Sequence, residues 1–263
     1  MSTPIRQLFD HTGRCALVTG GSRGLGLQIA EALGEAGARV LLTSRKAADL
    51  EQAAVALKAR GIDADWIDAD SRQPEEVQRV ADAAVARLGQ VDILVNNAGA
   101  TWGAKAEDHP LDAWDKVMDL NIRSVFLMTQ AIARRSMIPR GYGRIVNVAS
   151  IAGLSGNPPF MTTVAYNTSK GAVVNFTRVL AGEWGHYGIT VNALAPGMFP
   201  SRMTQGTIDA AGADTIAGSA PLGRMGDDDD LKGAALLFAS AAGKHITGQI
   251  LAVDGGVSVV HGG

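Results

Sequence analysis

Short apolar runs alternate with longer helical patterns along almost the whole chain, and this alternation restricts the possible folds more than any other feature of the sequence. Most of the runs are continuously apolar, which is typical of strands covered by helices on both faces of a sheet. A regular strand–helix alternation predicts right-handed βαβ units and a parallel sheet. The predicted strands are residues 15–18, 40–43, 64–67, 93–95, 145–148, 190–195 and 250–253.

The helical patterns fall between these strands, at residues 24–36, 47–60, 74–88, 111–135, 166–186 and 231–239. We therefore predict a single α/β domain over residues 1–263, with a Rossmann-like, doubly wound parallel sheet of about seven strands and helices on both faces. Residues 197–226 interrupt the rhythm, because they are rich in Gly, Ala, Met and Pro and only weakly periodic. Long connections of this kind are often lids or binding loops, so we expect a substrate loop there.

The composition excludes several classes of protein. A formal net charge of −2 provides no basic field to attract nucleic acid or an anionic membrane. Cys15 is the only cysteine, so an intrachain disulfide is impossible, and its apolar neighbours predict a buried thiol. The sequence shows neither the apolar region of a secretory signal nor a run of roughly 20 apolar residues that could span a bilayer, so we expect a soluble, cytoplasmic protein.

An acidic run at residues 227–230 precedes the last helical pattern. Carboxylates in the first turn of a helix complement its dipole, so we expect this run to form that turn. A metal site would need ligands that converge from different parts of the chain, and we predict no metal.

A glycine-rich loop follows the first predicted strand and opens the first helical pattern. Its glycines let the backbone turn sharply and approach a pyrophosphate, and the amides at the helix N-terminus favour an anion. Tight turns of this kind occur in other α/β proteins, but the position inside a βαβ unit indicates a dinucleotide site. The residues predicted to contact the dinucleotide here are Gly20, Ser22, Arg23, Gly24, Leu25 and Gly26.

The end of the second predicted strand indicates which dinucleotide is bound. A carboxylate there would hydrogen-bond a ribose 2′-hydroxyl and repel a 2′-phosphate. This chain has Ser44 and Arg45 instead, and Arg45 can make a charge-assisted, forked contact with a phosphate. Arg23 can flank the same phosphate, although both arginines can also be solvated surface cations. The pattern favours NADP(H) over NAD(H).

Two further strand ends lie at the edge of the predicted sheet where ligands of open α/β sheets bind. Asp70 and Ser71 follow the third strand and are predicted to meet the adenine. Asn96 ends the fourth strand and is expected to be mostly structural. The residues after it that we assign to the cofactor cleft are Asn97, Ala98 and Gly99.

Tyr166 and Lys170 stand four positions apart in a predicted helix, so they share one face. A phenol has a pKa of about 10, and a neighbouring lysine cation favours the phenolate, which predicts a lowered pKa for Tyr166. Ser150 ends the fifth strand and can hydrogen-bond a substrate oxygen. Asn121 can hold a water or a backbone kink that connects Lys170 to solvent. A Tyr-x-x-x-Lys pair by itself is a common surface pairing, so only the combination indicates a site.

In combination, these motifs resemble the short-chain dehydrogenase/reductase family. The resemblance implies NADP(H)-dependent interconversion of a carbonyl and an alcohol by hydride transfer, with Asn121, Ser150, Tyr166 and Lys170 as the catalytic set. It also implies that Tyr166 and Lys170 contact the nicotinamide side of the cofactor. The matching residues are Thr19-Gly20-x-x-x-Gly24-x-Gly26, Asn96-Asn97-Ala98-Gly99, Asn121, Ser150, Tyr166-x-x-x-Lys170 and Pro196-Gly197.

The chain departs from the family pattern between two of these residues. Ser150 and Tyr166 lie farther apart than is usual in the family. The extra residues predict an inserted loop at residues 157–163 that bulges over the substrate pocket. Ser155 is a weaker candidate for the role of Ser150, because it lies beyond the strand end.

A second departure follows Pro196-Gly197, both assigned to cofactor binding. The family commonly has a threonine after this pair that binds the nicotinamide carboxamide. Ser201 is predicted to occupy that position here, and Thr204 is the alternative.

An apolar, sulfur-containing wall is predicted beside the reactive end of the cleft. Such a wall suits an alkyl or acyl chain better than a free sugar, although the same residues can instead pack beneath the loop at 197–226. Within the family, residues 100–104 and 195–204 resemble the 3-oxoacyl-thioester reductases linked to rhamnolipid synthesis. That resemblance implies a β-ketoacyl substrate on acyl carrier protein or coenzyme A. The wall is predicted from Trp102, Phe160, Met161, Met198, Phe199, Pro200 and Met203.

Other functions stay open at this point. Gluconate-type polyol dehydrogenases share the same framework and are the alternative substrate class. A non-catalytic NADP(H)-binding redox sensor or scaffold is the alternative from another class of protein. Four arginines can dock an acidic carrier protein, although a solvated basic face explains them equally well; they are Arg134, Arg135, Arg140 and Arg144.

The sequence also suggests self-association. The helical patterns at 111–135 and 166–186 carry apolar residues on more than one face, and in the family these helices pair across a dimer axis. Residues 246–256 resemble the family's last strand, which often builds the second interface of a tetramer. We expect a homotetramer, with a dimer as the alternative.

Overall fold

The computed structural model describes residues 2–157 and 161–260. Seven parallel strands form one sheet in the spatial order β3-β2-β1-β4-β5-β6-β7. The strand order reverses between β1 and β4, which is where open α/β sheets bind ligands. The strands are β1 Cys15–Thr19, β2 Arg39–Ser44, β3 Ala64–Asp68, β4 Ile93–Asn96, β5 Gly143–Val148, β6 Ile189–Pro196 and β7 Ile250–Val253.

Helices cover both faces of this sheet. The longer ones are α2 Gly24–Glu35, α3 Ala47–Ala59, α4 Pro74–Leu88, α5 Leu111–Met118, α6 Ser124–Ile132, α8 Val164–Trp184 and α11 Lys232–Ala239. The shorter ones are α1 Ile5–Leu8, α7 Ile138–Arg140, α9 Gln205–Ala211 and α10 Ala213–Gly218. The predicted Rossmann-like fold and all seven predicted strands are therefore confirmed, with strand ends shifted by no more than two residues.

Two predicted elements differ from the structure. The helical pattern at 111–135 is divided by wider π-helical turns at Asp119–Arg123 and Ala133–Met137. The acidic run at 227–230 lies in the turn before α11 instead of in its first helical turn. Asp230 is held there by Arg224, whose guanidinium donates to it at 2.6 and 2.7 Å. The ion pair competes successfully with the helix dipole for these carboxylates.

The core consists of two apolar clusters separated by the sheet. Successive strand side chains point to opposite faces. Val18 and Leu42 therefore pack with Phe238 of α11 in one cluster, whereas Leu17 and Leu94 pack under α4, α6 and α8 in the other. Because both faces are covered, the strands read as continuous apolar runs, as the sequence pattern indicated.

Three of the arginines considered for docking an acidic carrier are used inside the fold. Arg135 donates to Asp82 at 2.6 Å, and Arg140 donates to the fully buried Asp92 at 2.9 Å. Arg144 is itself buried. Arg135 and Arg140 are thus ion-paired and Arg144 is buried, whereas Arg134 is exposed.

The helices of residues 2–157 and 161–260 include none with both the length and the hydropathy that crossing a bilayer requires. Cys15 is buried in β1, as predicted, and burial raises the pKa of its thiol. A thiol of this kind is held mainly in its unreactive protonated form.

Candidate active site

A cleft of about 890 Å³ opens at the carboxyl ends of the strands, across the point where the strand order reverses. Loops that follow β1, β2, β4, β5 and β6 all contribute to its lining. The predicted cofactor residues that line it are Gly20, Ser22, Arg23, Gly24, Leu25, Ser44, Arg45, Ser71, Asn97, Ala98, Gly99, Tyr166, Lys170, Pro196, Gly197 and Ser201. Residues that are far apart in sequence thus converge on one groove.

The glycine loop is shaped by close backbone contacts. Gly20 has a φ of +64°, in the left-handed region, and a Cβ there would lie 2.9 Å from the Cα of Ala98. Asn97 fixes the loop from the neighbouring strand, because its Nδ2 donates to the carbonyl oxygens of Thr19 and Gly20 at 3.0 and 3.1 Å. The loop is also fastened to β2, because the amides of Gly20 and Gly21 donate to the carbonyl oxygen of Thr43 at 2.7 and 3.4 Å.

Gly26 supports the loop from beneath and is not among the described residues that line the cleft. A Cβ at this position would overlap the carbonyl oxygen of Gly20 and the side-chain Nδ2 of Asn97. We expect Gly26→Ala to destabilise the fold by about 1–3 kcal/mol and to weaken NADPH binding, because the loop must move away from the helix. Urea denaturation and fluorescence titration with NADPH measure the two effects. Gly233→Ala in α11, where a Cβ meets open space, is the matched control; equal behaviour of both variants would contradict this role.

The end of β2 is strongly cationic. Arg45 and Lys46 are exposed and line the cleft beside Ser44. Arg23 reaches the same region and donates to Asp49 of α3 at 3.1 Å. From the sequence, Arg23 was predicted to be a phosphate ligand or a solvated cation. The structure shows in addition that Asp49 lines the cleft and pairs with this arginine.

Asp70 is paired with a neighbouring cation. Its carboxylate accepts three hydrogen bonds from the Arg72 guanidinium, at 2.5–3.1 Å, and Arg72 holds its pKa below the usual range. Among the described residues, Ser71 and Ala69 line the cleft at this strand end, and Asp70 does not. The sequence pattern did not predict this ion pair between Asp70 and Arg72, two residues away.

The side chains of Asn96 and Asn121 hold neighbouring parts of the backbone together. Asn96 Nδ2 donates to Asn147 on the adjacent strand at 2.9 Å, as expected for a residue that ties strands together. Asn121 lies in the first π-helical turn and is buried. Its amide bonds both backbone groups of Ala100 and donates to Ser169 Oγ at 2.9 Å. The loop after β4 is thereby fastened to α8.

Lys170 is buried on α8 and reaches under the end of β5. Its Nζ donates to the carbonyl oxygen of Val148 at 2.7 Å and lies 5.7 Å from the ring centre of Tyr166. Burial lowers the pKa of Lys170 to about 8, so the ammonium form still dominates at pH 7. The predicted pairing of Tyr166 with Lys170 on one helix face is thus present at the mouth of the nucleotide groove.

The pKa of Tyr166 moves in the direction opposite to the sequence prediction. Burial raises it, and a hydrogen bond with Ser150 only partly opposes that effect. Desolvation therefore outweighs the influence of the lysine cation, because a phenolate is costly to bury. A raised pKa keeps Tyr166 protonated at neutral pH, which is the form that can donate a proton.

Ser150 stands where the sequence places it, directly after β5, and lines the cleft. Its Oγ accepts a hydrogen bond from the amide of Ala152 at 3.2 Å, at the start of the short 3₁₀ turn Ile151–Gly153. Ser155 is exposed and is not among the described lining residues. The geometry thus favours Ser150 over Ser155.

The predicted apolar wall lines the cleft in part, through Phe199, Pro200 and Met203. Phe199 lines it, but this side chain is 4% exposed and belongs to the core. Within the described chain, Trp102, Met161 and Met198 are not lining residues; Trp102 is exposed near Lys116, and Met161 lines a separate side cavity. Phe160 lies outside the described residues. The apolar character of these residues does not by itself predict which of them line the cleft.

Several lining residues were not assigned from the sequence. Arg202 is an exposed cation on the loop after β6, and Thr101 follows β4. Ser201 and Thr204, the two candidates for one position, both line the cleft, and their hydroxyl oxygens are 3.0 Å apart. A hydrogen-bonded turn, in which the Thr204 amide donates to the Ser201 carbonyl oxygen at 3.1 Å, brings the two side chains together. The sequence did not predict this turn.

Comparison with known proteins agrees with this geometry. A family model described as short chain dehydrogenase matches residues 14–211. A gluconate 5-dehydrogenase of Gluconobacter oxydans is 39% identical over 260 residues, covering 98% of this chain and 99% of the relative. A rhamnolipids biosynthesis 3-oxoacyl-[acyl-carrier-protein] reductase of Pseudomonas aeruginosa is 41% identical over 252 residues, covering 94% and 97%.

A solved structure shares the whole fold. The crystal structure of a gluconate 5-dehydrogenase from Burkholderia cenocepacia, in complex with NADP and tartrate, superposes with a TM-score of 0.92 at 37% identity. The similarity covers 98% of this chain and 100% of that one. The family model spans both the glycine loop and the Tyr166–Lys170 pair. This chain belongs to the short-chain dehydrogenase/reductase family, whose members are oxidoreductases acting on CH–OH and C=O groups.

Proposed function

We propose that the protein uses NADP(H) to interconvert a ketone and a secondary alcohol. One observation carries the proposal: Ser150, Tyr166 and Lys170 line the same cleft as the glycine loop. The hydroxyl groups of Ser150 and Tyr166 thus lie next to a groove whose backbone and cations suit a dinucleotide. The raised pKa of Tyr166 supports reduction, because the group must hold a proton until negative charge develops on the substrate oxygen.

The residues divide the chemistry among them. Ser150 and Tyr166 donate hydrogen bonds to the carbonyl oxygen and stabilise the charge that forms there. Tyr166 then transfers its proton to that oxygen, and Lys170 favours the resulting phenolate through its ammonium charge. Asn121 keeps the loop after β4 in place against α8. When bound, the nicotinamide supplies the hydride in reduction and accepts it in oxidation.

The groove fits the dinucleotide through two features of this chain. The glycine loop presents amides at the N-terminus of α2, which suits a pyrophosphate. Ser44 and Arg45 at the end of β2, with Arg23 from the glycine loop, supply a hydroxyl and two cations where a 2′-phosphate would lie. These contacts support NADP(H) over NAD(H), with the remaining cleft residues holding the adenosine and nicotinamide ends.

For the substrate we propose a 3-oxoacyl thioester or a related ketone. The resemblance of residues 195–204 to the reductases of rhamnolipid synthesis supports this class, as does 41% identity to one such reductase. A gluconate-type or polyol substrate is the second candidate, supported by 39% identity to a gluconate 5-dehydrogenase and by the absence of Trp102 and Met161 from the described cleft lining. A carrier protein is proposed only for the thioester class.

The deciding experiment measures NADPH oxidation with acetoacetyl-coenzyme A, 5-ketogluconate, diketones and simple ketones, and NADP⁺ reduction with gluconate and galactitol. We expect the thioester to give the highest kcat/KM. Higher kcat/KM with the sugar acids would overturn the thioester assignment and support the second candidate. Tight NADPH binding without turnover of any substrate would instead support a redox sensor or scaffold, the alternative without catalysis.

Arg202 offers a test of how the substrate is held. It is exposed at the cleft and can bind the carboxylate of a sugar acid or a phosphate of coenzyme A. We expect Arg202→Ala to raise the KM of a charged substrate about 3- to 10-fold, since the lost hydrogen bond is charge-assisted but partly solvated. The KM of a small neutral ketone should stay unchanged in steady-state assays. An equal rise for both substrates would show that Arg202 acts on the loop and not on substrate charge.

We further propose a homotetramer. Phe126 on α6 and Val179 on α8 are 44% and 47% exposed, so both helices keep apolar surface after folding. The edge strand β7 exposes Leu251 and can build a second interface. Sedimentation equilibrium at micromolar concentration should give four chains per particle; a monomer would contradict self-association altogether.

A further inference from the structure

Two asparagine side chains, Asn157 and Asn167, form a reciprocal amide pair behind the cleft. Asn157 Nδ2 donates to Asn167 Oδ1 at 3.0 Å, and Asn167 Nδ2 donates back to Asn157 Oδ1 at 2.9 Å. Both are half-buried, and neither is among the described residues that line the cleft. Asn167 follows Tyr166 directly on α8, so the pair lies next to the reacting group without touching the groove.

Asn167 also holds the turn that carries Ser150. Its Nδ2 donates to the carbonyl oxygen of Ala152 at 2.9 Å. The amide of Ala152 in turn donates to Ser150 Oγ at 3.2 Å. One peptide segment thus connects the Ser150 hydroxyl with the helix position beside Tyr166.

The same turn presses against α8 at a second point. A Cβ on Gly153 would lie 2.5 Å from the carbonyl carbon of Lys170 and 2.7 Å from its oxygen. The turn therefore has no room to approach the helix more closely, and the Asn167 bond to Ala152 keeps it from moving away. Contact on one side and a hydrogen bond on the other define its position.

The segment that departs from the family pattern closes onto the same asparagines. Thr163 Oγ1 donates to Asn167 Oδ1 at 2.8 Å, and Asn157 Nδ2 lies within 3.1 Å of the carbonyl oxygen of Met161. Both ends of residues 157–163 are therefore anchored at the start of α8. Asn has a lower helix propensity than Ala, so its place in the first turns of α8 disfavours the helix slightly and is explained by these contacts.

We propose that Asn167, supported by Asn157, is a positioning residue that sets the separation between the Ser150 and Tyr166 hydroxyls. This inference rests on the proposed ketone reduction. Two hydrogen-bond donors serve one carbonyl oxygen only while their spacing is held, and a misplacement of about 1 Å can lower a rate about 100-fold. Asn167 lines a side cavity and is not among the described residues that line the cleft, so in this proposal it acts through Ala152 and Ser150.

The test compares Asn167→Ala and Asn167→Asp with Thr168→Ala, an exposed neighbour on the same helix turn. Single-turnover NADPH oxidation is followed by stopped flow with a ketone that the wild type reduces, and rates are divided by the number of NADPH-binding sites. We expect both Asn167 variants to be about 10- to 100-fold slower, with the NADPH Kd unchanged within about 2-fold. Thr168→Ala should match the wild type. Asn167→Asp keeps the size of the side chain, so it remains informative where Asn167→Ala folds poorly.

Asn157→Ala completes the design. It removes the support but leaves the Ala152 bond, so its effect should be smaller, and the double variant should equal Asn167→Ala within about 2-fold because the residues act as a unit. A rate per site in both Asn167 variants equal to that of Thr168→Ala would overturn the inference. So would a loss of activity matched by the loss of NADPH-binding sites, which is the result of a purely structural role. Failure of the proposed function is separate: it would appear as full activity of Tyr166→Phe or as no reduction of any ketone by the wild type.

Discussion

Replacing Tyr166 with Phe should lower kcat about 100- to 10,000-fold, the range that a positioned general acid contributes. The change removes one oxygen and keeps the ring, which is packed at the start of α8. Burial raises the pKa of this phenol, so the native residue enters the reaction protonated. Phe can neither deliver that proton nor share the carbonyl oxygen with Ser150. Steady-state and single-turnover NADPH oxidation measure the loss.

The same variant should still bind NADPH with a Kd within a few-fold of the wild type, because the glycine loop and the end of β2 are untouched. Tyr187→Phe is the matched control, since it makes the same chemical change in the 3₁₀ turn Gly185–Tyr187, outside the described cleft lining. It should retain full activity. If Tyr166→Phe kept most of its turnover, the assignment of Tyr166 as the proton donor would be wrong, whatever the substrate.

The sequence predicted the scaffold well because the scaffold follows from local physics. Short, continuous apolar runs that alternate with helical patterns are typical of strands buried on both faces, and the topology of βαβ units then places their ends at one edge. That topology places Ser150 at the binding edge of the sheet, and the resemblance to the family implied its association with Tyr166 and Lys170. The helix spacing of four residues fixed the face shared by the last two.

The electrostatic details could not be predicted in the same way. The sequence suggested that Lys170 lowers the pKa of Tyr166, but burial has the larger effect and burial is a property of the packed structure. Asp70 was expected at the adenine, and its ion pair with Arg72 was not predicted. Both details were missed because burial and side-chain pairing depend on neighbours that sequence spacing does not rank.

The extent of the substrate wall could not be predicted for a related reason. Trp102 and Met161 have the apolar surface that a binding wall needs, but so does any core residue, and the sequence contains no sign that separates the two. Phe199 lines the cleft while belonging to the core. The Asn157–Asn167 pair was missed because both residues look like ordinary loop and helix-start polar groups until the backbone brings their amides together.

Cofactor preference gives the second large prediction, through Ser44→Asp. Ser44 is the last residue of β2 and lines the cleft beside Arg45. A carboxylate at this strand end accepts hydrogen bonds from a ribose 2′-hydroxyl and repels a 2′-phosphate. It can also pair with Arg45 and withdraw that guanidinium from the phosphate.

Each lost charge-assisted contact is worth about 1.5–3 kcal/mol, so we expect kcat/KM for NADPH to fall about 10- to 100-fold in Ser44→Asp. The kcat/KM for NADH should rise, because the new carboxylate can accept a hydrogen bond from the ribose 2′-hydroxyl of NADH. The ratio of the two constants, measured in steady state with one ketone, therefore shifts by more than either constant does.

Ser44→Ala removes only the hydroxyl and should move the ratio far less. A wild type that prefers NADH, or a ratio left unchanged by the aspartate, would contradict the 2′-phosphate site at Ser44, Arg45 and Arg23. The carboxylate's effect depends on its charge and not on its size, so an Asn at the same position should fall close to the alanine variant.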